Sequence, residues 1–241
     1  MIDAKQLVLR TRDEVSFWKH WNALTAALHS GPRYAETNIK NFILVAESRG
    51  TLREDLSFIF LQNGVPVGGA FLPLEHTPHG LAISFGGGYT LAPLFADLAI
   101  GKIIFQHIES LARERRAAKI AFLVDPFDPR AQYNFLQYYG YLDASLLTYI
   151  IDLGVPGDFL KHCRKGHACD IKKLFHRSDI SVKIYDHVAP SYDAHERYRA
   201  LHAKAAGRAT RPKESFDLQF EALKRGRAIL VELRLADNPI A

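Results

Sequence analysis

FIFLQNGVPVG occupies residues 58–68, and the apolar run on either side of Asn63-Gly64 decides the fold. Asn-Gly between two apolar segments is the strongest short-range signal for a β-hairpin, because a type I′ turn needs positive φ at both central residues. The run extends in both directions, as LSFIFLQ (56–62) and VPVGGAFLPL (65–74). LAISFGG (81–87) then predicts a third strand that runs into Gly86-Gly87-Gly88.

Outward from this hairpin the period changes. Phe17, Trp21, Leu24 and Leu28 recur at helical spacing within 13–29, and Gly31-Pro32 ends that run. A second helix is expected over 34–49. Downstream, Ile100, Ile103, Ile104, Ile108 and Leu111 make one face of a helix at about 95–116, with Lys102, Gln106, Glu109 and Arg113 opposite. IAFLVDP (120–126) reads as a buried strand, Arg130 to Tyr139 as a helix ended by Gly140, and SLLTYIIDL (145–153) as a last strand. This order predicts an α+β, αβα-layered domain around one mixed central sheet flanked by helices.

Val155-Pro156-Gly157 marks a boundary, so residues 1–153 are expected to form one domain and 154–241 a second. Beyond it come a helix at about 157–177, with Leu160, Cys163, His167, Ile171 and Leu174 on one face, and a strand at 180–186. Helices follow at 190–207 and 215–226. ILVELRLADNPIA (229–241) repeats the layout of FIFLQNGVPVG: apolar strand, polar turn, then a proline before an apolar residue. Aligning Pro66 with Pro239 sets a repeat offset of 173 residues (239 − 66 = 173). Internal repeats govern an architecture more firmly than local propensity. The expectation is one complete copy plus a partial second copy, stopping inside its hairpin, with an active form longer than this chain.

The composition is globular: 48% apolar and 24% charged residues in a chain of 241. The start, MIDAKQLVLRTRDE, lacks a basic region followed by an apolar run, and no apolar stretch reaches membrane-spanning length, so no signal peptide or integral membrane segment is expected. Two cysteines are too few for a disulfide framework, which favours a reducing, cytoplasmic setting. The net charge of +5 is uneven. Residues 1–153 hold 14 Lys/Arg against 15 Asp/Glu (−1), whereas 154–241 hold 17 against 11 (+6). The second half is therefore the candidate for meeting an anionic partner, with a merely soluble basic surface as the competing reading.

The segment from Ser84 to Leu153 resembles the core of the GNAT superfamily of acyl-CoA N-acyltransferases. AISFGGGY, the helix through Ile104, AFLVDP and NFLQYYGY (134–141) stand in the family's order. The second half resembles FemAB-type proteins, which carry two GNAT-like copies. The matching residues are Tyr149, Asp152 and Leu153; Arg164, Lys165, Asp170, Ile171 and Lys173; Val182 to Asp186; and Gly207, Arg208 and Arg211. The resemblance implies transfer of an aminoacyl or acyl group onto an amine of a peptidoglycan-precursor-like, cell-envelope acceptor. It also implies aminoacyl-tRNA or acyl-CoA as the donor for a full-length form. The alternatives are an acyl-CoA-dependent N-acyltransferase of a small-molecule or sugar amine, and a non-catalytic module binding RNA or another polyanion.

Acyl transfer needs a polarised carbonyl, a deprotonated amine and both held at attack distance. The stretch PLFADLAIGK (93–102) stands where the resemblance places a coenzyme A loop, but it holds one glycine, Gly101, where the pattern wants two. Asp97 near the helix start would repel a phosphate. The first copy is therefore expected to hold no coenzyme A, and no cofactor is expected on this chain. Candidate residues for a diphosphate-bearing acceptor are Arg208, Arg211 and Lys213 in the loop GRATRPKES, and Tyr89 after the triple glycine. Arg164 and Lys165 belong to a basic helix, KHCRKGHACDIKKLFHR (161–177), of six Lys/Arg against one Asp, which suits phosphate or tRNA binding. Ordinary solvated loops and helix faces are the competing readings. Cys163, Cys169, His167 and His176 invite a metal, but six residues on a continuous helix turn the two cysteines about 120° apart. No metal is expected.

Overall fold

The computed structural model describes residues 7–126, 128, 134–144 and 159–240. The expected strand at 145–153, the boundary at 155–157 and the start of the helix expected at 130–139 lie outside the described residues. The chain divides into two compact units, Met1–Ser145 and Leu146–Ala241.

In the first unit the hairpin forms as the sequence predicts. Asn63 and Gly64 have φ of 52° and 79°, the positive pair of a type I′ turn. They join β3 (Phe58–Gln62) to β4 (Val65–Ala70), with Gln62 opposite Val65 and Leu61 opposite Pro66. Strand β1 (Leu7–Thr11), which the sequence pattern does not announce, pairs antiparallel with β3. Both hairpin arms extend beyond β3 and β4. β2 (Leu52–Asp55) and β5 (Pro73–Thr77) continue β3 and β4, with Asp55 opposite Pro73 and Phe58 opposite Ala70. At the bend between them the Ser57 hydroxyl accepts the Leu72 amide at 3.0 Å, so a buried side chain replaces a backbone partner.

The third strand comes in pieces. β6 (Gly80–Ile83) pairs antiparallel with β5, and β8 (Leu94–Phe95) pairs antiparallel with β4. From Ile83 to Phe95 is 12 residues, but from their partners Leu74 to Gly68 is 6. The excess loops out around Gly86 and Gly87, both at positive φ. Helix α3 (Leu98–Glu114) then crosses over to β9 (Lys119–Ile120), parallel to β6, and β10 (Phe122–Leu123), parallel to β7 (Thr90–Leu91).

Alternation along FIFL explains its unbroken hydrophobicity. Phe58 and Phe60 face a core layer with Ile100, Ile104, Phe105 and Ile108 of α3. Ile59 and Leu61 face the opposite layer, built with Phe17, Trp21 and Leu24 of α1 (Phe17–Ala27) and Ile39 and Ile43 of α2 (Glu36–Ser48). The unit is thus an α+β sandwich, helix–sheet–helix. Of the helix expected up to Tyr139, the described part is a 3-10 turn, Phe135–Tyr139, capped by the Asn134 side chain and closed by Gly140 at φ 85°.

The second unit contains α4 (Phe159–His162), α5 (Lys165–Phe175), β11 (Ile180–Tyr185), α6 (Tyr192–Ala205), α7 (Lys213–Lys224), β12 (Leu230–Leu235) and β13 (Asn238–Pro239). The sheet order is β11-β12-β13. Its register repeats that of β1-β3-β4 at a constant offset. Leu7 pairs with Gln62 and Ile180 with Leu235 (7 + 173 = 180, 62 + 173 = 235). Leu61 pairs with Pro66 and Arg234 with Pro239 (61 + 173 = 234, 66 + 173 = 239). The turn residues Ala236 and Asp237, at φ 46° and 64°, stand where Asn63 and Gly64 stand in the first hairpin.

The helix expected at 157–177 is broken. Arg164, at φ −54° and ψ 139°, is extended, and α5 starts anew after it. The break shifts the helical phase, so the expected buried face does not form: His167 and Leu174 are exposed, and Cys163 is only partly buried.

Candidate functional site

Where parallel strands part, an α/β sheet opens toward ligands. Here β7 and β10 stay paired as far as the bond from the Ala92 amide to the Leu123 carbonyl, 3.0 Å. Beyond it the chain turns to β4 through β8, and the Ala96 amide bonds Val67 at 2.9 Å. Asp97 follows as the N-cap of α3. Its carboxylate accepts the Ile100 amide at 2.9 Å, so a negative side chain already occupies the helix N-terminus. One turn on, Gly101 is packed from outside. A Cβ there would collide with the Tyr139 hydroxyl and come within 3.1 Å of the Phe95 ring. Tyr139 itself stacks on Phe105 at 4.0 Å, and Phe95 meets Phe135 edge-on at 5.8 Å. At this end of α3 the Ile100 amide is thus committed to the Asp97 carboxylate, and aromatic rings pack against Gly101.

The loop between the two arms of the third strand carries Tyr89, which is exposed. Beneath the loop Glu75 is buried, accepting the Thr51 hydroxyl at 2.9 Å and, more weakly, the Gly87 amide at 3.4 Å.

In the second unit the three loop cations separate. Arg208 is exposed, with no ion pair among the described residues. Arg211 lies over the Phe216 ring at 4.3 Å and donates to the Tyr198 hydroxyl at 3.2 Å. Lys213 donates to the Tyr192 hydroxyl at 2.7 Å and to Asp217 at 3.1 Å. Those bonds, Tyr192 first, hold its ammonium pKa above the ordinary lysine value. Two of the three cations therefore help to pack α7 on α6. Arg164 and Lys165 sit at the start of α5, both exposed, and Lys173 reaches Asp170 at 3.8 Å. Cys163 and Cys169 are free thiols, and among the described residues no group of three His, Cys, Asp or Glu side chains could hold a metal ion. No described helix is long and apolar enough to cross a membrane.

A further cluster was not anticipated from the sequence. Glu232 of β12 is buried and accepts Arg197 of α6 through Nε at 3.1 Å and Nη2 at 2.8 Å. On its other oxygen it accepts Arg234 Nε at 2.6 Å and the Tyr185 hydroxyl at 3.2 Å. Burial tends to raise the Glu232 pKa, but the two guanidiniums outweigh it and hold the group below the ordinary glutamate value. The alternation VELRL marks one polar face of β12, but nothing in the local pattern says that Arg197, 35 residues earlier, joins it.

No family model matches the chain, and no curated protein does. Among solved structures, similarity is found to a ribosomal-protein-alanine N-acetyltransferase from Brucella melitensis biovar Abortus 2308, at 14% identity and a TM-score of 0.41, covering 61% of this chain and 99% of that one. A Trypanosoma brucei acetyltransferase is similar at 17% identity and a TM-score of 0.38, covering 61% and 99%. An aminoglycoside N-acetyltransferase, AAC(6')-Iy, in complex with CoA is similar at 14% identity and a TM-score of 0.39, covering 61% and 95%.

Proposed function

We propose that the chain belongs to a tandem acyltransferase of the FemAB kind, and that it serves the transfer of an acyl or aminoacyl group onto an amine of a diphosphate-bearing, cell-envelope acceptor. The observation that carries this reading is the constant 173-residue offset of strand register between β1-β3-β4 and β11-β12-β13. One GNAT-like domain has no need of a second sheet in the same register, whereas a tandem arrangement does. The hairpin, the α3 crossover and the departure of the chain from β10 after β7 support a GNAT-like first copy, as the order of its sequence motifs does.

Asp97 and the packing around Gly101 argue for an acceptor-side role of the first copy, with no donor pyrophosphate at α3. They weigh against the reading as a simple acyl-CoA enzyme of small amines. In the proposed step the acceptor amine forms an N–C bond to the donor carbonyl carbon, the donor ester or thioester bond breaks, and the proton lost by the amine passes to the released tRNA hydroxyl or thiol. The exposed cations Arg164, Lys165 and Lys172 on or beside α5 favour contact with the tRNA that would carry such a donor.

Calorimetric titration of the full chain with an amine-bearing, nucleotide-diphosphate-linked peptidoglycan precursor tests the reading. Binding in the micromolar to millimolar range, lost when the amine is acetylated in advance, is the expected result. Binding of acetyl-CoA with no binding of the precursor would replace this reading with the small-amine one.

A further inference from the structure

The Tyr185–Glu232 cluster has no role in the packing that an apolar cluster would not fill. At the equivalent register positions of the first unit stand Ile59 and Leu61 (232 − 173 = 59, 234 − 173 = 61), buried against Leu24 of α1. Buried ion networks usually gain little stability over well-packed apolar residues, because desolvation offsets the Coulomb attraction. A charged network in a position that apolar side chains fill elsewhere in the same chain points to recognition.

The donors that remain define what is recognised. Each guanidinium has five N–H donors. Arg197 and Arg234 both spend Nε and Nη2 on Glu232 and the Tyr185 hydroxyl. Their Nη1 groups have no hydrogen bond among the described residues, and their side chains are 40% and 23% exposed. Lys183, directly opposite Glu232 across β11 and β12, places its ammonium over the Tyr185 ring at 5.1 Å. Three cations from β11, β12 and α6 thus surround one tyrosine, against one carboxylate that is nearly closed off from solvent behind the guanidiniums. Glu232 cancels one charge and fixes the orientation of both arginines before any ligand arrives.

We propose that this face of β11 and β12 is an oxyanion site that takes the phosphate or diphosphate group of a small molecule between Lys183, Arg197 and Arg234. It deepens the acceptor reading by giving the acceptor diphosphate a place, and it moves that place away from Arg211 and Lys213, which are engaged in packing. The site can be tested without any acceptor, so its failure is separate from failure of the transfer reading.

The experiment titrates the full chain with inorganic pyrophosphate and, in a second arm, inorganic phosphate, at ionic strength matched with sodium chloride. Side-chain arginine N–H signals are followed by NMR, and heats by calorimetry. Pyrophosphate is expected to move the Arg197 and Arg234 signals, and Lys183→Ala to weaken binding roughly ten- to a hundredfold, the scale of one charge-assisted hydrogen bond. Lys183 is exposed, so this variant should fold normally. Arg208→Ala is expected to leave the affinity unchanged. Absence of signal movement at millimolar pyrophosphate would overturn the site, as would binding that Arg208→Ala weakens and Lys183→Ala does not.

Discussion

The Asp97 carboxylate accepts a hydrogen bond from the Ile100 amide at 2.9 Å, closing the N-terminus of α3 with the chain's own negative charge. Removing the cap in Asp97→Ala should cost about 1 kcal/mol of stability, read as a lower midpoint in urea. Asp97→Asn keeps an acceptor and should recover most of that loss. Neither wild type nor Asp97→Asn is expected to bind coenzyme A by calorimetry, because the rings around Gly101 remain. Micromolar binding by either would refute the account of this helix end.

Two helical glycines should respond in opposite directions to the same substitution. Alanine is favoured over glycine inside a helix by about 1 kcal/mol. Gly166 of α5 has nothing within 4 Å of a built Cβ, so Gly166→Ala should raise stability or helicity. Gly101→Ala should lower Tm despite the same propensity gain, because the Cβ meets Tyr139 and Phe95. Adding Tyr139→Ala should restore part of the Gly101→Ala loss, beyond what the two single changes predict by addition. Equal effects of alanine at both glycines would contradict the packing described.

The fold was legible where chemistry is local. Asn63-Gly64 announced its turn because positive φ at two residues leaves few side-chain choices, and the stripe through Ile100, Ile104 and Ile108 announced α3. Strand β1 was missed because Leu7–Thr11 is short and follows no alternation of its own; it is a strand by virtue of β3 beside it. The break at Arg164 was missed because the helix-disfavouring residue nearby, Gly166, lies past it, within α5 (Lys165–Phe175). For the candidate site, exposure of Arg208 and Tyr89 agrees with a loop reading. The engagement of Arg211 with Phe216 and of Lys213 with Asp217 depends on how α6 meets α7, which no spacing rule encodes. The same holds for Arg197 and Glu232.

The second hairpin provides a third test. Ala236 and Asp237 adopt the positive φ of a type I′ turn without its preferred residues. Replacing them together by Asn-Gly should stabilise the second unit by about 1 kcal/mol, chiefly by relieving backbone strain. Replacing Asn63-Gly64 by Ala-Asp should destabilise the first unit by a similar amount. Hydrogen exchange of the β12 and β3 amides separates the two effects; a loss of protection in β12 on introducing Asn-Gly would argue against a common turn.

Acid should weaken the first unit through His107. This ring is half-buried edge-on against Phe58 at 4.7 Å, and burial, more than the opposing Glu114 charge, lowers its pKa below the ordinary 6.5. A folded-state pKa below the unfolded one means that the unfolded chain binds more protons in between. Stability therefore falls as pH drops through 6.5 toward the folded value, and levels off below it as far as this group is concerned. His107→Gln should flatten that part of the stability profile, measured by urea melts from about one unit above the ordinary histidine value to about one and a half units below it. An unchanged slope would show that the ring titrates freely.

The central claim is that the chain serves transfer onto an acceptor amine, and mass spectrometry of that acceptor tests it most directly. The full gene product is incubated with an amine-bearing, nucleotide-diphosphate-linked peptidoglycan precursor and, in parallel reactions, with a mixed aminoacyl-tRNA pool or acetyl-CoA. The account predicts that the precursor gains the mass of one aminoacyl or acyl group, and that a precursor with its amine blocked gains none. An unmodified precursor in both reactions, with acetyl transferred instead to a small free amine such as an aminoglycoside, would contradict it.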